Sequence, residues 1–250
     1  MQQKSLKSLS VRSRSPLQRA GLATAIGLTL VSVCRAENVT IPVPNGDFET
    51  AGNSGSIGGS GPLGLVGPNT SASPLAGGPW SAATWGILGL VSPPVITINS
   101  NGASDGYCRI SGLVGLKLLN LPLFNTHAVV SQTLTNQAEP FVVYTLEADV
   151  DRSTVLSASL LAEDGVGIGL TVNGTEVASS LTSTGNFLSV QLLSSTTYRI
   201  TLKYATGEVP PAGSLGIRLF TGEGSGLLHT GVLQDVKFDN VRLTAFKLEA

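Results

Sequence analysis

The feature that most constrains this chain is its punctuation. "PVITINS", "GYCRISG", "HAVVSQTLT", "FVVYTLEADV", "FLSVQLL", "TYRITLKYA", "SLGIRLFTG" and "VKFDNVRLTAF" follow one another with Gly, Ser, Pro or Asn in the gaps. Runs of roughly five to ten residues, rich in β-branched and aromatic side chains and bounded by turn formers, read as strands. "GVGIGLTVNGTEVASS" folds back on itself at Asn173-Gly174. That dipeptide is the strongest short-range hairpin signal, because a type I′ turn needs positive φ at both central positions. No stretch sustains a helical period of apolar residues. Short strands at this spacing predict an antiparallel all-β sandwich or barrel.

The first 36 residues read as a leader. Lys4, Lys7, Arg12, Arg14 and Arg19 form a basic region, Ala20 to Val33 carries no charge, and Cys34-Arg35-Ala36 ends in small residues at the −3 and −1 positions. This is the layout of a secretory signal peptide cleaved after Ala36. The apolar run is short for a transmembrane helix. Secretion or a periplasmic location is therefore expected, with residues 37–250 as one β-sandwich domain. Removing the leader takes six of fifteen basic residues and leaves nine against sixteen acids, a net charge of −7. A chain without a basic patch is a poor partner for nucleic acid or for an anionic membrane surface. The leader also takes Cys34 and leaves Cys108 alone, so no internal disulfide is expected. Cys108, in "GYCRI", reads as a small buried apolar residue.

Residues 51–78 are mostly Gly, Ser, Pro, Asn and Thr, which predicts a long loop after the first strand. Gly102-Ala103-Ser104-Asp105-Gly106 matches G-x-S-x-G, yet a strand-like run follows where a hydrolase elbow needs a helix. It reads as a hairpin turn. His127 and His229, the two histidines, stand in no metal-type spacing. Glu147, Asp149 and Asp151 alternate in "LEADVD" and so share one face of a strand. That face is a solvent face or an acidic binding surface. The sugar-stacking candidates are Trp80 and Trp85, in "GPWSAATWG", and Tyr107. A flat ring can lie against the apolar face of a sugar while polar neighbours read its hydroxyls; equally, a Trp can plug the end of a sandwich.

The order of motifs carries a resemblance. "NGDFE" near the start, a loop with Trp, "VSQTL", "YTLEADV" and a closing "FDNVRL" resemble carbohydrate-binding modules of the galactose-binding-like jelly-roll fold, over about residues 43–245. The layout is similar to that of exported bacterial proteins with a PEP-CTERM sorting tail, although no hydrophobic tail with a basic end follows the last strand here. The resemblance implies a jelly roll whose first and last strands lie together. It also implies a structural calcium ion on Glu49 and Asp239, with Asn240 standing where a second Asp is often found. Calcium takes six to eight oxygen ligands, which two carboxylates and carbonyls can supply. "VPNGDFET" is then expected to be the first strand, with Phe48 and Phe238 in the core. The expected function is a non-catalytic module binding polysaccharide or a cell-surface glycan. The alternatives are a structural envelope or matrix protein and, last, a secreted esterase or glycosidase.

Overall fold

The computed structural model describes residues 36–58, 70–86, 93–100, 105–112, 117–118, 126–160, 165–182, 188–222 and 228–248. Residues 1–35 of the expected leader, and Ser104, lie outside them. The strands are β1 Ala36–Ile41, β2 Gly55–Ile57, β3 Thr70–Ala72, β4 Ser81–Trp85, β5 Val95–Asn99, β6 Tyr107–Gly112 and β7 Lys117–Leu118. They continue with β8 His127–Gln137, β9 Val142–Leu160, β10 Val166–Val172, β11 Thr175–Thr182, β12 Leu188–Ala205, β13 Ser214–Thr221 and β14 Leu228–Leu248. One short 3-10 turn, Leu75–Gly77, is the sole helical element among the described residues.

Two antiparallel sheets form the jelly-roll sandwich. The larger runs β12-β9-β14-β6-β5-β2, with β1 and β7 also paired to β14; the smaller runs β11-β10-β13-β8-β4-β3. Side chains alternate across a strand, so each sheet turns every second residue inward. In β9, Leu146, Ala148 and Val150 are buried while Glu147, Asp149 and Asp151 face outward. Ile96, Ile98, Ile110, Phe238 and Leu243 meet Ala82, Val130, Ile168, Leu170, Ile217 and Leu219 in one core. Cys108 belongs to that core, and burial pushes its thiol far above the usual range, which leaves it unreactive. Asn173 (φ 50°) and Gly174 (φ 76°) make the hairpin turn between β10 and β11 as the dipeptide predicts.

The strand that organises the site is β14. One edge pairs with β9 from Leu228 to Lys247. The other edge pairs with β6 at Gln234–Phe238 and then with β1 at Leu243–Leu248. At the changeover the register shifts between Asp239 and Arg242, so one extra residue bulges out of the ladder. Asn240 takes the left-handed conformation there (φ 50°), a conformation Asn tolerates better than most residues.

Two expectations are corrected. The first strand is Ala36–Ile41, and "VPNGDFET" is not a strand but two consecutive turns. In the first turn Gly46 N donates to Val43 O at 3.0 Å; in the second Phe48 N donates to Asn45 O at 3.2 Å. Asn45 (φ 50°) and Phe48 (φ 54°) are left-handed, which a ladder forbids. Within residues 51–78, the described parts hold β2, β3 and the 3-10 turn, because even Gly- and Ser-rich segments pair when a neighbouring edge offers a partner: β2 pairs with β5 and β3 with β4.

Candidate functional site

The double turn at residues 43–50 fills the gap that β14 leaves between β1 and β6. Val241 N donates to Gly46 O at 2.8 Å and so ties the turn to the bulge. The two sequence ends therefore meet, through a turn against a bulge and not through a strand pair. On the core side Phe48 and Trp80 stack at 5.4 Å between ring centroids, both fully buried. Trp80 Nε1 donates to Asn45 O at 3.0 Å, satisfying the one polar atom of the ring. A bulky residue at φ 54° costs about 1–3 kcal/mol, and burial of the Phe48 ring offsets it by about 1.5–3 kcal/mol. The role expected of Trp80 in ligand contact is thus corrected. With no exposed area it offers no face to a ligand, and it fastens the turn from beneath.

On the outer side the same seam opens into a hollow of about 230 Å³, lined by Asp105, Gly106, Tyr107, Asp149, Asp151, Thr197, Lys237 and Asp239. It crosses four strands of the larger sheet. Asp149 and Asp239 stand directly opposite each other on β9 and β14. Like charges so placed repel, and the fold treats the two differently. Arg199 on β12 donates from Nε and Nη2 to Asp149 (2.6 and 3.3 Å), and these bonds hold the Asp149 carboxyl below its ordinary range. Asp239 is pushed upward, first by burial and then by the nearby charges of Glu49, Asp149 and Asp47; the Asn240 N–H, donating at 2.6 Å, works against this.

Around the pair the charges are matched. Arg109 makes a two-pronged contact with Asp235 (2.7 and 2.6 Å), and the Lys237 ammonium stands 5.0 Å from the centre of the Tyr107 ring. Tyr107, half-buried, is the expected ligand residue that the structure places in this hollow. Trp85 is elsewhere. It is half-buried on the outer face of the smaller sheet, where it stacks on His127 at 4.1 Å. Trp85 and Tyr107 therefore face away from each other, on opposite sides of the sandwich. His229 lies in β14.

Sequence reasoning missed Asp105, Lys237, Thr197 and Arg242. Lys237 and Thr197 reach the hollow only through strand order, which no local pattern reveals, whereas Asp105 stands two residues before Tyr107 in the same segment. Of the expected metal pair, Glu49 lies close enough to Asp239 to raise it electrostatically. Among the described residues, no group of three or more His, Cys, Asp or Glu is arranged to hold a metal ion. A cation on Glu49 and Asp239 would need carbonyl or water oxygens for the rest of its shell. The charge pattern fits one, since it would relieve the carboxylate repulsion that adds to burial in raising Asp239.

A family model, HpiC1-like (HpiC1 cyclase), matches residues 39–244. The chain belongs to the HpiC1-like family. No curated protein matches it by sequence. Among solved structures, this HpiC1-like chain is similar to the CBM22-1 xylan-binding domain from Paenibacillus barcinonensis Xyn10C, with 10% identity over 81% of this chain and 93% of that one, at a TM-score of 0.33. It is also similar to the N-terminal cellulose-binding domain from Cellulomonas fimi β-1,4-glucanase C, with 17% identity over 68% of this chain and 89% of that one, at a TM-score of 0.32. The ligands in those names are those proteins' own.

Proposed function

We propose that this HpiC1-like chain is an exported carbohydrate-binding module that holds its ligand on the outer face of the larger sheet without turning it over. The observation that carries this reading is the composition of the hollow. A half-buried tyrosine ring stands beside a row of carboxylates, with an ammonium and a hydroxyl at its border. Carboxylates accept hydrogen bonds from neighbouring sugar hydroxyls, and the ring takes the apolar face of the sugar. The face is acidic, which favours an uncharged glycan over a polyanion. Trp85 supplies a second aromatic platform on the opposite sheet. The test is a glycan array followed by calorimetry on the purified protein. Binding of a neutral polysaccharide is expected, with Tyr107→Ala weakening it about tenfold and Trp85→Ala less. If no glycan is retained, the carbohydrate reading fails and a structural role in the envelope takes its place.

A second reading is favoured by the carboxylate pair and by the cyclase in the family's name. Opposed carboxylates whose proton affinities are pushed apart are the arrangement of an acid and its ionised partner. Asp239 would donate a proton to a bound ligand, and Asp149 would stabilise the charge that develops. Turnover of any substrate by wild-type protein, lost in Asp239→Asn while binding persists, would replace the first reading by this one.

Calcium belongs to the proposal too, on Glu49 and Asp239, as a clasp on the seam and not as a catalyst. Melting with calcium and then with a chelator tests it. A lower midpoint in chelator, abolished by Glu49→Gln, is expected; equal midpoints exclude the ion.

A further inference from the structure

Below the hollow that holds Tyr107 lies a second one, of about 350 Å³, on the other side of the β14 bulge. Asn45, Asp47 and Thr50 from the double turn line it, together with Asn240 and Arg242 from β14 and Thr40 from β1. The two hollows share no lining residue, yet they are neighbours. Asp239 lines the upper and Asn240 the lower, and the Arg242 guanidinium reaches to 3.8 Å from both Asp149 and Glu147.

Arg242 differs from the other two arginines described on this face. Arg109 closes its fork on Asp235 at 2.6–2.7 Å, and Arg199 closes on Asp149 from 2.6 Å. Arg242 holds two carboxylates at a distance too long for a hydrogen bond, with its side chain nearly half exposed. An arginine carries five donors in a planar fork. Those of Arg242 stand near two carboxylates without closing on either, and Arg242 lines a hollow with room for a ligand. Volume points the same way. The upper hollow, at about 230 Å³, is smaller than the roughly 300–1,000 Å³ of a typical small-molecule site, whereas the lower, at about 350 Å³, has room for a ligand unit of its own.

We infer that the lower hollow is a second subsite for the ligand of the upper one, and that Arg242 is its anchoring donor. The inference rests on the carbohydrate reading above and adds to it a ligand length and a direction. A linear, uncharged oligosaccharide lies along β14, with one unit against Tyr107 and the next against Arg242. From Lys237 to Arg242 the strand runs at most about 17 Å at 3.3 Å per residue, longer than a single sugar ring. The bulge lies between the units, and so Asn240 shapes the floor that separates them.

The experiment is calorimetric titration of the full chain with a length series of whichever neutral glycan the array identifies, from monosaccharide upward. Wild-type affinity is expected to rise with length until both hollows are filled and then to level off. Arg242→Gln is expected to lower the affinity for the longer members about tenfold, the size of one charge-assisted hydrogen bond, and to leave the shortest unchanged. Arg242→Lys, which keeps the charge but loses the fork, is expected to fall between them. Asp149 remains held by Arg199 in both variants, so the upper hollow stays intact. If Arg242→Gln leaves the length dependence as it is in wild type, the second subsite is wrong while the upper site stands. If affinity does not rise beyond the monosaccharide, the subsite is again wrong. If wild type binds no glycan of any length, both readings fall together.

Discussion

The two sides of β14 at its bulge make opposite uses of neighbouring residues. Phe238 and Val241 point inward and are fully or nearly fully buried, Phe238 in the layer that holds Phe48 and Trp80. Asp239 and Arg242, next to them in sequence, lie on the outer face, and each lines one of the two hollows. The inner side is dry and closed by aromatic stacking, and its energy comes from area and packing. The outer side is wet and charged, and its pairs offset one another. The difference teaches that stability and recognition are separated here by the thickness of one strand, so substitutions on the two sides should have unlike signatures.

The largest effect is expected inside. Trp80→Ala removes a fully buried ring, its stack on Phe48 and the hydrogen bond to Asn45 O. Such truncations cost about 3–5 kcal/mol. Because the lost ring supports the double turn, denaturant unfolding should show a large loss of stability, and glycan affinity in the remaining folded protein should fall as well. A loss under about 1 kcal/mol would mean that the seam is held from elsewhere, and the contrast between the two sides would collapse.

Gly106 tests the boundary between them. A Cβ built there would stand 2.2 Å from Phe48 O, a backbone atom that cannot swing aside. Gly106→Ala should therefore force β6 and the double turn apart, at about 1–3 kcal/mol. The hollow should change with it, since Gly106 also lines the outer side. Thermal melting reads the first effect and Tyr107-dependent binding the second. An unchanged melting midpoint would show that the two segments are not in contact.

How much of this was legible in the sequence follows from where each residue's role is decided. Strand identity is local, and alternation in "FVVYTLEADV" and the Asn173-Gly174 dipeptide announced β9 and a hairpin. The carboxylates Glu147, Asp149 and Asp151 were correctly put on one face for the same reason. The inward place of Phe48 and Phe238 was legible too. The double turn was not, although its signals were present. Pro44, Asn45 and Gly46 are turn formers, and a reading guided by the motif order took them for the start of a strand. Trp80 and Trp85 lie five residues apart at the two ends of β4, and the alternation of that one strand sends them to opposite faces. Trp80 precedes β4 and turns under the double turn, while Trp85 ends β4 on its outer face. Asp239 and Asn240 show the limit most directly. Their neighbours Asp149 and Glu49 come from distant parts of the chain, so no local pattern foretells that Asp239 is pushed up and Asp149 down.

The smallest effect concerns that pair, and its sign is what matters. Asp149 is held below its ordinary range by the Arg199 hydrogen bonds. A depressed carboxyl stabilises the fold above the unfolded-state value near 3.9, and that contribution is lost as pH falls through the folded-state value. Asp239 is raised, chiefly by burial. Between the unfolded value and its raised one the folded state holds the extra proton, so stability declines as pH rises through that window. Asp149→Asn should therefore lower the neutral-pH melting midpoint and flatten the loss of stability on the acid side. Asp239→Asn should raise the neutral midpoint and bring little gain below about pH 4. Both shifts should stay within about 4 °C, because both groups are partly exposed and water screens them. The measurement is the melting midpoint from pH 3 to 8, in chelator so that no cation occupies the seam. Shifts of the same sign in the two variants would mean that the outer face does not set its two central carboxylates against each other, and the acid–partner reading would lose its footing.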